Sequence, residues 1–395
     1  MSYSPHTFSI PVMGTGHSID SPIRVGPYGI NSVISIVDDL LVERIRKYYC
    51  QKFDLPYKNI ARNEKDGRAR RITAYLDTVQ TIVQKKFQAI QSLPFFEQND
   101  KAKYFEMLPD GIDLKERYNQ LLETEKGSLR DRLSYDLSRL MNPGSIDVNI
   151  MAKVDGMNFE KNGNPMSAEY SDASAALRGY AQSNLSSSLI LSAGFNPRLY
   201  NYISEYKDFY RNAAGYIKKK IILKVSDFRS ALIQGKYLAK KGLEVFEYRV
   251  ESGLNCGGHA FASDGYLLPT ILKEFREKRE MLTSSIQPLI EKYYNEHIDG
   301  FSPEWSITEP RITVQGGIGT SGEARRLMQD FDMDATGWGS PFLLVPEATT
   351  VDQITRTLLE NATEEDLYLS GVSPLGVPFN NVRNTGSSQW HQEAY

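Results

Sequence analysis

Two stretches of this chain combine residue types and spacing suited to holding an anion without a positive side chain. One is Arg311-Ile312-Thr313-Val314-Gln315-Gly316-Gly317-Ile318-Gly319-Thr320; the other, about twenty residues on, is Ala335-Thr336-Gly337-Trp338-Gly339-Ser340-Pro341-Phe342. Each reads as a short apolar strand that ends in glycines and opens a helix. Bare backbone N–H groups at such a turn attract a phosphate. Two turns one βαβ unit apart can close on the same dianion. The expected donors are the amides of Gly316, Gly317, Gly339 and Ser340, with Ile318 and Gly337 completing the turns.

Further groups fall at the ends of other apolar runs. Met13-Gly14-Thr15-Gly16 closes the first and offers a flat, side-chain-poor floor on which a planar ring can lie. Lys153 and Lys224 close the third and fifth, where a cation would stabilise negative charge building on such a ring. The competing reading of either lysine is a strand-end cap or a partner for a carboxylate. The sixth run leads into Glu251-Ser252-Gly253-Leu254-Asn255-Cys256-Gly257-Gly258-His259. Imidazole titrates near neutrality, so His259 can take a proton from a carbon acid or give one to a developing enolate. Of the five histidines, His17 shares that face, and His297 and His391 read as surface positions. Cys256 reads as a small residue filling a tight loop. A phosphate grip, a glycine floor and a nearby lysine describe a phosphorylated cofactor with a planar ring, and FMN fits best.

The elements that must position these groups follow from periodicity. Strand-like runs centre near residues 12, 35, 150, 190, 222, 246, 313 and 337, with helical stretches between them. Eight alternating strands predict a parallel sheet closed as a (β/α)8 TIM barrel, whose chemistry sits at the C-terminal strand ends and whose phosphate site follows strands seven and eight. An open doubly wound sheet competes. It would place a full G-x-G-x-x-G after the first strand, but position 19 is Ile. Between residues 54 and 144 the runs are long, charged and amphipathic, which predicts a helical insertion subdomain after strand two. The expected division is 1–53 and 145–370 for the barrel, 54–144 for the insertion and 371–395 for an irregular tail, mobile or cut short of a natural end. Helices are also expected from Tyr200 to Ala213 and from Tyr266 to His297, the latter whole or broken into a pair.

Bulk properties narrow the classes. The chain has 395 residues, enough for a barrel of about 250 plus insertions. A hydrophobic fraction of 41% supports a real core, and a net charge of −3 gives no electrostatic case for nucleic acid or an anionic membrane. Two cysteines, Cys50 and Cys256, lie far apart without metal-site spacing, so no metal is expected. No apolar run approaches a span of ~20 residues and no basic-then-apolar leader opens the chain, so a cytoplasmic protein is expected.

Glu251-Ser252-Gly253 through Gly257-Gly258-His259, Val314-Gln315-Gly316-Gly317-Ile318 and Gly337-Trp338-Gly339-Ser340-Pro341-Phe342-Leu343 together resemble the FMN-binding barrels of the nitronate monooxygenase group. That group includes flavin-dependent enoyl-acyl-carrier-protein reductases and the trans-acting enoyl reductases of polyunsaturated fatty acid synthases. The resemblance covers 8–37 and 145–346; Leu254-Asn255-Cys256 splits the strand-six motif, and Trp338 stands where a smaller residue is usual. It implies an FMN-dependent oxidoreductase in which His259 faces the flavin, the glycine turns hold its phosphate and the first glycine turn lies beside the ring. The substrate is then an alkyl nitronate or an acyl thioester, with NADH or NADPH as electron donor in the second case. The helices of 54–144 would contact an acyl carrier protein or a second copy of the chain. Two alternatives stay open: a barrel isomerase or lyase holding a phosphorylated substrate with Lys224 as base or imine former, and a non-catalytic barrel within a complex.

Overall fold

Eight β-branched, apolar runs pair in chain order and close into a barrel of parallel strands. The computed structural model describes residues 5–13, 16–150, 155–160, 162–192, 194–251, 267–297, 307, 309–370 and 379–386. The first elements are β1 (Phe8–Ile10), α1 (Ser21–Val25), β2 (Asn31–Ser35), α2 (Asp39–Lys52), α3 (Gly67–Ser92), α4 (Asp100–Glu106), α5 (Asp113–Glu123) and α6 (Ser128–Leu140). Then come β3 (Ile146–Ile150), α7 (Asp172–Gln182), β4 (Ser188–Leu191), α8 (Pro197–Ile203), β5 (Lys220–Val225), α9 (Phe228–Ala239) and β6 (Val245–Glu251). The chain continues with α10 (Leu267–Glu277), α11 (Arg279–His297), β7 (Arg311–Gln315), α12 (Ser321–Phe331), β8 (Ala335–Gly337), α13 (Ser340–Leu343), α14 (Gln353–Asn361), β9 (Leu367–Ser370) and β10 (Phe379–Val382). The (β/α)8 architecture and all eight expected barrel strands are therefore present. Among the described residues, no helix is long and apolar enough to cross a membrane.

The chain divides into two compact units, Met1–Ile10 with Ile19–Ser192 and Asn196–Ile221, and Pro11–Ser18 with Ala193–Phe195 and Ile222–Tyr395. In the first, the stretch 54–144 has two different jobs. Helix α3 lies in the helical layer against α2 and α7. Thr73 Oγ1 donates to the carbonyl of Gly179 at 2.8 Å, and the buried Tyr75 hydroxyl donates to that of Ile19 at 2.6 Å. Arg68 and Arg71, near the start of α3, both bind the Asp39 carboxylate that opens α2, at 2.6 Å each. The far end of α3 instead joins α4, α5 and α6 around a separate core of Phe87, Ile90, Phe95, Tyr104, Phe105, Leu108, Tyr118, Leu121, Leu137 and Met141.

In the second unit, β6 is buried on both faces, which is why its alternation is hard to see in hydropathy alone. Tyr248 and Val250 face the helices, and the Tyr248 hydroxyl lies against Gly235 of α9. Alternation then turns Glu247, Arg249 and Glu251 to the opposite, interior face.

Two expectations are corrected. Helix α8 stops at Ile203 rather than Ala213: Ser204 closes it, its amide and hydroxyl both donating to the Asn201 carbonyl. A separate short helical turn follows at Lys207–Phe209, and Asn212 Oδ1 then accepts from the amides of Ala214 and Tyr216 at 3.0 Å each where the chain turns at Gly215. The tail is not irregular throughout. Phe379–Val382 pairs antiparallel with Leu367–Ser370, and the Arg383 amide extends the ladder to the Asp366 carbonyl at 2.8 Å.

Replacing Tyr75 with Phe leaves the buried Ile19 carbonyl without its donor. A loss of about 1–2 kcal/mol is expected in equilibrium urea unfolding; an unchanged midpoint would mean that α3 is not tied to the barrel there.

Candidate functional site

The ends of β7 and β8 lie side by side, as the paired glycine turns require. Gln315 is in register with Gly337, and the Gly316 N–H donates to the Gly337 carbonyl at 3.2 Å. Gly316 and Gly317 then take φ values of 93° and 70° in succession, a left-handed path that side chains other than glycine resist. This corrects one expected donor. The Gly316 amide joins the strands and is not open to an anion. The amides of Gly317, Ile318 and Gly339 have no acceptor among the described residues. Gly317 is exposed, whereas Ile318 and Gly339 are buried. Ser340 follows as the first residue of α13.

The start of α12 already holds an anion of its own. Thr320 caps the helix, and Glu323 Oε2 accepts from the amides of Gly319 and Thr320, each at 2.9 Å. Those two backbone hydrogen bonds hold the Glu323 carboxyl below the usual carboxylate range. Glu323 thus occupies the amides of Gly319 and Thr320 immediately before α12.

The loop after β1 is brought to the β8 side by backbone contacts. Thr350 donates its N–H to the His17 carbonyl at 3.0 Å and its hydroxyl to the Gly16 carbonyl at 3.1 Å. Ser18 Oγ accepts from the Met13 amide at 3.1 Å. Met13 is buried, and a Cβ at Gly16 would meet nothing within 4 Å. The remaining expected residues, Gly14, Thr15, Lys153, Gly257, Gly258 and His259, lie outside the described residues.

Sequence reasoning did not assign the polar cluster at the ends of β5, β6 and β7. Lys224 Nζ donates to Glu251 Oε1 at 3.0 Å, and Gln315 Nε2 donates to the same oxygen at 3.2 Å. Lys224 is thus an ion-paired cation, the carboxylate-partner reading weighed against a role at a ring. Gln315 is set in place from β8. A Cβ at Gly337 would lie 2.9 Å from Gln315 Cγ and 3.1 Å from its Cβ, so the glutamine side chain occupies the space that glycine leaves. The available signal was a polar side chain at or next to the last position of each of three successive strands. One layer deeper, Glu247 Oε1 accepts from Arg249 Nε at 2.7 Å and Thr313 Oγ1 at 2.6 Å. Burial works to raise the Glu247 carboxyl, but the Arg249 and Arg311 charges and these hydrogen bonds outweigh it and hold it low. That layer is buried. The upper one reaches the strand ends where barrel chemistry occurs.

These features define a (β/α)8 barrel with two adjacent glycine turns after β7 and β8 and a buried ion pair beside them. No protein-family model matches the sequence, and no curated protein does. Among solved structures, the chain is similar to an IMP dehydrogenase/GMP reductase-like protein from Corynebacterium glutamicum, with 12% identity and a TM-score of 0.36 over 86% of this chain and 65% of that one. This chain thus spans less than two thirds of that protein's length, and the fold assignment rests on the eight strands themselves.

Gly337→Ala should force Gln315 off its seat, at a cost of about 1–3 kcal/mol from overpacking. Thermal unfolding checks this: a Tm equal to that of the wild type would show that the glutamine is not held by β8.

Proposed function

We propose that the protein is an FMN-dependent oxidoreductase built on this barrel. The observation that carries the reading is the adjacency of the two glycine turns after β7 and β8, with the amides of Gly317, Ile318 and Gly339 lacking an acceptor among the described residues. Uncommitted amides at neighbouring strand ends suit a phosphate. In this reading Gly317, Ile318, Gly339 and Ser340 hold the FMN phosphate, while Gly316 and Gly337 fix the spacing between the turns. Met13 to Gly16 form the floor for the ring, and Gly257 and Gly258 let His259 approach it. FMN supplies reversible two-electron redox chemistry when bound.

The chain's own work is then binding, charge placement and proton handling. Lys224 sets a fixed positive charge near the strand ends, and Lys153 is assigned a similar part. His259 is the general acid/base: it takes a proton from a carbon acid in a nitronate-monooxygenase-like reaction, or gives one to the reduced acyl thioester in an enoyl-reductase-like one. NADH or NADPH is the electron donor in the second case. The cap formed by α4, α5 and α6 is assigned to contact with an acyl carrier protein or a second copy of the chain. Lyase chemistry at Lys224 is disfavoured by its ion pair with Glu251, since imine formation calls for a free amine.

The purified protein should be yellow, with a flavin band near ~450 nm. Colourless protein that takes up no FMN on titration overturns the proposal. His259→Ala should retain FMN and lower turnover by on the order of 10²–10⁴; undiminished turnover would remove the histidine from the chemistry.

A further inference from the structure

A lysine, a glutamate and a glutamine from three successive strands converge on one carboxylate oxygen, and their exposures are graded. The Lys224 side chain is 13% exposed and that of Glu251 is 6%. Gln315 is more buried still, at 3% for the whole residue. A carboxylate taken that far out of water is costly unless it is paired and hydrogen-bonded, and Glu251 has both kinds of partner on Oε1. The glutamine in turn fills the space left by the missing side chain at Gly337. Order therefore passes from the β8 glycine to Gln315, to Glu251 and finally to the ammonium, the member that reaches furthest towards solvent. The deeper Glu247–Arg249–Thr313 set lacks this grading: both of its charged side chains are 5% exposed, and Thr313 is 2% exposed.

We propose that the Lys224–Glu251 pair, with Gln315 donating to the same carboxylate oxygen, tunes how readily a ring bound at the strand ends accepts negative charge, each charge acting with its own sign. This rests on the flavin reading above. The cation favours charge building on the ring; the carboxylate behind it partly offsets that field. Removing either charge alone therefore moves the equilibrium in a direction set by its sign.

The test measures the midpoint potential of protein-bound FMN by equilibration with a reference dye, in wild type, Glu251→Gln, Lys224→Met and the double variant. Both single substitutions preserve approximate shape, and retention of FMN is measured alongside. Glu251→Gln should raise the potential and Lys224→Met should lower it. The double variant should lie above Lys224→Met, because the uncompensated carboxylate is gone. Should Glu251→Gln fail to fold, the ordering of Lys224→Met against the double variant still decides the matter. Unchanged potentials in variants that bind FMN, or single-variant shifts of the same sign, overturn the opposed roles of the two charges and leave the flavin reading standing. A wild-type protein that takes up no FMN overturns the flavin reading, and this proposal with it.

Discussion

The candidate site depends on one steric fact, that β8 has no side chain at position 337. The gap admits Gln315 from the neighbouring strand. The strand register sets the two residues opposite each other, and the Gly316 amide closes onto the Gly337 carbonyl just beyond. With that amide occupied, the following turn leaves the amides of Gly317 and Ile318 without acceptors among the described residues. The same glycine therefore serves the paired glycine turns on one side and the buried ion pair on the other. A larger residue would disturb both at once.

Much of this was legible in the sequence. The eight strands were readable because β-branched runs such as Ser32 to Val37 and Arg311 to Gln315 alternate with capped helical stretches. Asp38, for example, accepts from the amides of Leu40 and Leu41 as a helix-opening aspartate should. The adjacency of the glycine turns followed from their spacing. What the sequence could not show was which amides stay open. That depends on register, which commits Gly316 to Gly337, and on the rotamer of Glu323, which fills the α12 start. Glu251 and Gln315 were missed for a related reason: each is unremarkable in its own strand, and their chemistry exists only where three strands meet.

The barrel interior in the second unit is more polar than a generic barrel core. Two carboxylates, Glu247 and Glu251, project from one strand, each beside a cation. Stacking ion pairs in a low-dielectric interior brings little net stability compared with a packed apolar layer. Such an arrangement is better understood as fixing where charge sits. The lower pair is enclosed by Thr313; the upper one ends on a lysine at the strand termini.

Helix α3 belongs to two cores at once. At about 39 Å for its 26 residues, it runs from the Asp39 clamp beside α2 to the aromatic cluster under α4. Its last carbonyls are sealed by a side chain from the cap: Lys101 Nζ donates to Gln91 O at 2.8 Å and Leu93 O at 2.9 Å. The cap is therefore not an appendage that evolution or an engineer could trim at a loop. Excising it would uncover Phe87 and Ile90 and strip the plug from the end of a helix whose other half is barrel wall.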